Sequence, residues 1–143
     1  MEFITTTKKE IDENIDLLLN ETQSFKFETW NKDNFLMDLP RKWELSIVAK
    51  SGNEIVGFSF NSQKEGAMHI HYFYVFQTYR NNKLGVLMLK KCIDLVRQYK
   101  LQMITLRCNV SNYRALEFYL KNDFAIASLE GEFYGLYKNI DIE

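Results

Sequence analysis

Hydrophobic and polar positions recur along this chain with two different periods, and the changes of period mark out its elements. Ile11, Ile15, Leu18 and Leu19 fall at helical spacing, and Thr7 with Glu10 three residues on is a capping-box signature, so a first helix is predicted from about Lys8 to Asn20. The stretch ETQSFKFETW mixes aromatic and polar residues without a period and reads as a loop. Asn31 can cap a short second helix through Phe35, Leu36 and Leu39, which stops near Pro40 because the residue before proline avoids the helical region. Period two then takes over. LSIVAK and EIVGFSF flank the turn Ser51-Gly52-Asn53, and AMHIHYFYVF follows a second polar turn ending at Gly66, which together describe an antiparallel meander.

From Leu84 the period becomes 3.6. Leu84, Met88, Cys92, Leu95, Val96 and Tyr99 share one face, and Lys90, Lys91, Asp94, Arg97 and Gln98 the other. MITLRCNV reads as a strand, Ser111 or Asn112 can cap a helix carrying Ala115, Leu116 and Tyr119, and two aromatic strands about Gly131 close the chain. The predicted order is helix, helix, three strands, helix, strand, helix, two strands, an α/β (α+β) arrangement with a mixed sheet flanked by helices. A strand, a long helix and a strand in one sheet make a crossover, so AMHIHYFYV and MITLRCNV are expected to lie parallel and adjacent.

With 143 residues, 46% apolar and 15% aromatic, the chain can bury one core, and a single domain over 1–143 is expected. Eighteen basic and nineteen acidic side chains leave a net charge of -1, so no global field invites nucleic acid or an anionic membrane, and a small polar ligand fits better. The start MEFITTTKKEID lacks a basic region followed by an apolar one, and no apolar run approaches the ~20 residues that span a bilayer. A soluble, non-exported protein is expected. Cys92 and Cys108 fall within apolar patterns and form no close pair, so they read as buried, reduced thiols of a cytoplasmic protein, with no metal site.

One stretch carries candidate chemistry. In VFQTYRNNKLGVLML, from Val75 to Leu89, the turn at Arg80 to Gly85 lies at the carboxyl end of a strand and the amino end of a helix. The first turn of a helix leaves backbone N–H groups unpaired and attracts anions. Arg80 and Lys83 add positive charge there, and Gly85 lets the backbone approach a bulky phosphate. The plainer alternative is a solvated polar turn in which Gly85 serves packing.

These residues, followed some twenty positions on by NVSNYRALEFYLKNDF, resemble the GNAT superfamily of acyl-CoA-dependent N-acetyltransferases. The first signature of that family is Gln or Arg, two residues, Gly, one residue, then Gly or Ala. Arg80, Asn81, Asn82, Lys83, Leu84 and Gly85 match it except at Lys83. The second has Asn, then Ala three residues on, Tyr four beyond, and Gly-Phe soon after; Asn112, Ala115, Tyr119 and Asp123-Phe124 match except that aspartate replaces the glycine.

The resemblance implies a GNAT-type fold and an N-acetyltransferase that moves the acetyl group of acetyl-CoA to a primary amine of a small molecule or peptide by direct attack. It implies that the pantetheine arm pairs with the edge at Phe73 to Val75, that the phosphates meet Arg80, Asn81, Asn82, Lys83, Leu84, Gly85 and Val86, and that Asn112 and Tyr119 complete the cofactor site. Tyr119 is the expected proton donor to the leaving thiolate, with packing as its alternative. His71, four residues before Val75 where many members carry glutamate, is the expected base, acting directly or through water at an ordinary pKa near ~6.5, with packing on a half-buried strand as its alternative; His69 shares its face. Arg107 replaces a glutamate of the ribosomal-type N-terminal acetyltransferases, and either binds a substrate anion or is an exposed sheet residue. Phe25, Phe27, Glu28 and Trp30 lie where the family covers the acceptor, and the aromatics there either contact the substrate or seal the core. If Lys83 needs a positive φ it costs roughly 1 kcal/mol against glycine. The rival function is a non-catalytic acyl-CoA-binding module, suggested by Lys83 and Asp123; a structural domain without CoA is a third. A monomer or homodimer is expected.

Overall fold

The computed structural model describes residues 1–141. Its described strands form one sheet in the order β1-β2-β3-β4-β5-β7-β6: β1 (Glu2–Thr5), β2 (Ile47–Ser51), β3 (Glu54–Lys64), β4 (Ala67–Val75), β5 (Met103–Asn109), β6 (Ala125–Glu130) and β7 (Phe133–Asn139). Six α-helices flank it among the described residues: α1 (Lys8–Glu13), α2 (Ile15–Thr22), α3 (Lys32–Leu36), α4 (Lys42–Leu45), α5 (Leu84–Gln98) and α6 (Tyr113–Lys121). β2, β3 and β4 are the antiparallel meander, and β4 pairs in parallel with β5, as the long α5 between them requires.

Four local readings need correction. β1 is an unforeseen strand, short and mostly exposed, paired with β2 from Glu2↔Lys50 to Thr5↔Ile47. The first helix is two, because Asn14 (φ -108°, ψ 15°) leaves the helical region and turns its side-chain amide back onto the Glu10 carbonyl at 2.8 Å. α3 starts at the Asn31 cap, with a reciprocal box between Asn31 and Asn34, but ends at Leu36 rather than near Pro40. Leu45 belongs to the one-turn α4, so β2 begins only at Ile47.

Two cores sit on opposite faces of the sheet. Against α5 and α6 lie Met68, Ile70, Met88, Cys92, Val96 and Ile104. Against α1 to α3 lies an aromatic layer of Phe35, Phe58, Phe60, Tyr72 and Tyr74 with Ile11 and Leu18. Cys92 and Cys108 are both buried and unpaired with each other.

Candidate active site

β4 changes face in mid-strand. Phe60 faces Tyr72 and Asn61 faces Ile70, which leaves His71 as an extra residue with no partner on β3. Such a bulge bends a strand and shifts the alternation beyond it. Met68 and Ile70 therefore face α5, and so do Phe73 and Val75, while Tyr72 and Tyr74 join the aromatic layer on the other face. The parallel pairing with β5 stops at Ile70↔Leu106. Beyond it the strands part, and the β4 edge from Phe73 to Val75 is left unpaired on the β5 side.

Into that gap runs a groove of about 330 Å³ on the α5 face, lined among others by Phe73, Val75, Lys83, Gly85, Asn112 and Tyr119. Arg80, Lys83 and Arg114 line it and, among the described residues, no carboxylate does. At its outer end, among the described residues, the backbone N–H groups from Asn81 through Val86 have no protein acceptor. Asn81 (φ 69°) and Lys83 (φ 61°) both take the left-handed conformation, which turns successive N–H groups toward one side. Together with the amino end of the fifteen-residue α5, this is a strong anion cradle.

The cations are held in different ways. Arg80 donates from Nε to the Val75 carbonyl at 3.0 Å and lies over the Tyr74 ring at 5.0 Å. Arg114 donates to Asn81 Oδ1 at 3.1 Å. The Lys83 side chain makes no hydrogen bond or ion pair among the described residues, and the residue caps α5 through its backbone alone, its carbonyl accepting from the Leu87 N–H at 3.2 Å. Gly85 serves packing: a Cβ there would lie 3.1 and 3.2 Å from the Phe118 ring, so it lets α5 and α6 close on each other. Asn112 caps α6, accepting from the Ala115 N–H at 3.3 Å. Asp123 (φ 70°) takes the left-handed position just past the end of α6, where glycine is usual.

Of the residues singled out in the sequence, Phe73, Val75, Arg80, Asn81, Lys83, Leu84, Gly85, Val86, Asn112 and Tyr119 come together in the groove, while Asn82 is in the turn but not in the lining. Tyr119 is buried, edge-on to Phe124 at 5.3 Å, and its hydroxyl has no hydrogen-bond partner among the described residues. Burial pushes its phenol well above the usual range, helped by nearby Cys108, Cys92 and Glu28, so it stays protonated.

His71 does not line the groove. It sits at the bulge with Nε2 2.6 Å from Ser62 Oγ, and His69 Nδ1 is 2.8 Å from Thr105 Oγ1, the two rings being 4.8 Å apart. Burial, then the charge of Lys64, lowers both to about 4, which corrects the ordinary value expected from the sequence. Arg114 was missed. Its signal was legible: a cation in the first turn of a helix opposes the helix dipole, and so invites a search for the anion it serves.

The fold is similar to those of Ard1 from Thermoplasma volcanium (20% identity, TM-score 0.81, 97% of each chain covered) and of a ribosomal-protein alanine N-acetyltransferase from Escherichia coli (13%, 0.82, 99% of this chain and 95% of that one). It is also similar to PaiA N-acetyltransferase from Thermoplasma acidophilum, solved in complex with coenzyme A (14%, 0.76, 96% of this chain and 98% of that one). No curated protein matches the sequence. A family model described as acetyltransferase (GNAT) family matches residues 15–124, a stretch that holds every wall of the groove, and the chain belongs to that family.

Proposed function

We propose that this protein transfers the acetyl group of acetyl-CoA to a primary amine of a small molecule or peptide, by direct attack of the amine on the thioester. The observation that carries this is the continuity of the groove, from a carboxylate-free anion cradle to a buried, unspent phenol beside the parted strands. The coenzyme A in the structure of the PaiA enzyme supports the cofactor assignment.

The pyrophosphate is taken by the N–H groups from Asn81 to Val86, with Lys83 and Arg114 at its flanks. The pantetheine arm continues along Phe73 to Val75 as an added strand, sharing the Val75 carbonyl with Arg80. When acetyl-CoA is bound, it supplies an activated acyl carbon. Tyr119 then holds a proton near the sulfur and gives it up as the carbon–sulfur bond breaks. His71 enters this reading only as a neutral imidazole, since a group with a pKa of about 4 is a weak acceptor from an ammonium. The replacement of motif glycines by Lys83 and Asp123 is the ground for a non-catalytic module. Both residues keep the left-handed backbone that glycine would have, so the loop shape survives the substitutions.

Acetyl-CoA is expected to raise the melting temperature, and at about 100 times its Kd the gain is ~2.7 kcal/mol. Consumption of acetyl-CoA with a panel of amines, polyamines, amino acids and peptides then separates enzyme from module. A shift without turnover favours the module, and no shift at millimolar acetyl-CoA defeats both.

Lys83 answers to two demands, and one substitution separates them. Lys83→Gly relieves the left-handed strain and should stabilise the free protein by about 1 kcal/mol, read in thermal unfolding. The same change removes an ammonium from the cradle, so CoA affinity should fall several-fold at low salt, with the difference closing at high salt. Tighter CoA binding by the glycine variant would show that the ammonium contributes nothing.

A further inference from the structure

On the sheet face opposite α5, the segment between α2 and α3 holds a carboxylate against β4, the strand that borders the same gap. Glu28 Oε1 accepts from Trp30 Nε1 at 3.0 Å, and the Glu28 carbonyl accepts from the Tyr72 hydroxyl at 3.3 Å. Trp30 is wedged edge-on against Tyr72 at 5.0 Å and Phe35 at 5.2 Å, so the carboxylate is held by a rigid aromatic layer and not by a loose loop. Tyr72 is the residue just past the bulge, which ties Glu28 to the point where β4 leaves β5.

The charged and titratable groups that face Glu28 are Arg107 from β5, Tyr72 from β4 and, through the gap, Tyr119 from α6. Arg107 does not close on it. No ion pair joins them, and the guanidinium lies over the Phe133 ring at 4.4 Å. A cavity of about 510 Å³ lined by His69, Thr105, Arg107 and Phe133, among others, lies beside it, with Arg107 shared between that cavity and the surroundings of Glu28.

We infer that Glu28 is the proton acceptor for the attacking amine, which enters from the aromatic face while Tyr119 serves the sulfur from the other. This rests on the acetyl-transfer reading above. Glu28 takes a proton from the ammonium, and the freed nitrogen lone pair forms the bond to the acetyl carbon while the carbonyl π pair moves onto oxygen. That pair returns as the carbon–sulfur bond breaks with its electrons on sulfur. The second nitrogen proton reaches sulfur through the Tyr119 hydroxyl, which gives one proton and receives one. The products are the N-acetyl amine, the CoA thiol and protonated Glu28, which releases its proton to solvent.

The environment suits the role. Burial pushes the Glu28 carboxyl up to about 7, with the Trp30 hydrogen bond and the charge of Arg107 offsetting part of that rise. A base poised there is about half ionised at pH 7 and basic enough to accept a proton.

The test compares Glu28→Gln with wild type, using ethylamine and 2,2,2-trifluoroethylamine, which is already neutral at pH 7, as acceptors. Glutamine keeps an acceptor for Trp30. With ethylamine kcat/KM should fall by about 10²-fold. The break near pH 7 in the wild-type profile should vanish in the variant, whose activity then follows only the neutral fraction of the amine. With trifluoroethylamine the loss should stay under about tenfold, because no proton need be removed before attack. The thermal shift by acetyl-CoA should be unchanged. An equal loss with both amines, or an unaltered pH profile in an active variant, overturns the role of Glu28 alone. A wild type that binds acetyl-CoA but acetylates no amine overturns the acetyl-transfer reading and this inference with it.

Discussion

Tyr119→Phe is expected to lower kcat and kcat/KM together by about 10²-fold, with acetyl-CoA affinity and folding stability nearly unchanged. The ring is what folding uses: it packs edge-on against Phe118 at 5.4 Å, Phe124 at 5.3 Å and Phe73 at 6.2 Å, and phenylalanine keeps all three contacts. The hydroxyl has no protein partner among the described residues, so removing it orphans nothing. What is lost is a donor facing charge that develops on sulfur only in the transition state, and such a loss appears in kcat and not in binding. Steady-state kinetics with the best acceptor of the panel, beside the acetyl-CoA thermal shift, makes the measurement. Full activity in the phenylalanine variant would mean that the thiolate leaves unaided.

The parts of this fold that could be read from sequence are those whose residues decide their own conformation. α5 carries an unbroken 3.6 period and a buried stripe from Leu84 to Val96, and it was placed to within a residue. β1 has no such signal, because its few exposed residues are a strand only by virtue of β2 beside them. The bulge was hidden for a similar reason. HIHYFYV alternates without a break, and only the register against β3 reveals that His71 has no partner.

The site divides along the same line. Arg80, Lys83, Gly85, Asn112 and Tyr119 lie in short motifs whose spacing fixes their geometry, and they were legible. Glu28 was singled out only by its place in the loop that covers the acceptor in the family, with no role attached to it. Its environment is assembled from Tyr72, Arg107 and Tyr119, three elements distant in sequence, and no local pattern encodes that meeting. His71 misled in the opposite direction: its residue type suggested an ordinary pKa, and burial lowers it to about 4.

Lys42→Ala is expected to cost about 3–5 kcal/mol of folding stability, although Lys42 touches neither the groove nor the reacting atoms. Its side chain is 1% exposed, and Nζ donates to the carbonyls of Phe35 at 2.8 Å, Met37 at 2.7 Å and Asn34 at 3.3 Å. These are carbonyls that the end of α3 leaves unpaired, so one ammonium satisfies a helix terminus that would otherwise be buried and orphaned. The same ammonium faces the rings of Trp43 at 4.7 Å, Phe60 at 5.4 Å and Trp30 at 5.7 Å. Alanine removes the donors and leaves a cavity among large aromatics, and both effects have the same sign. Lys42→Met should recover the packing but not the hydrogen bonds, and so fall between wild type and alanine. Urea unfolding measures both, and a loss below about 1 kcal/mol for alanine would show that water replaces the ammonium at little cost. Because Trp30 holds the Glu28 carboxylate, the folded fraction of Lys42→Ala should also lose turnover while its acetyl-CoA affinity, set on the far face of the sheet, stays as it was.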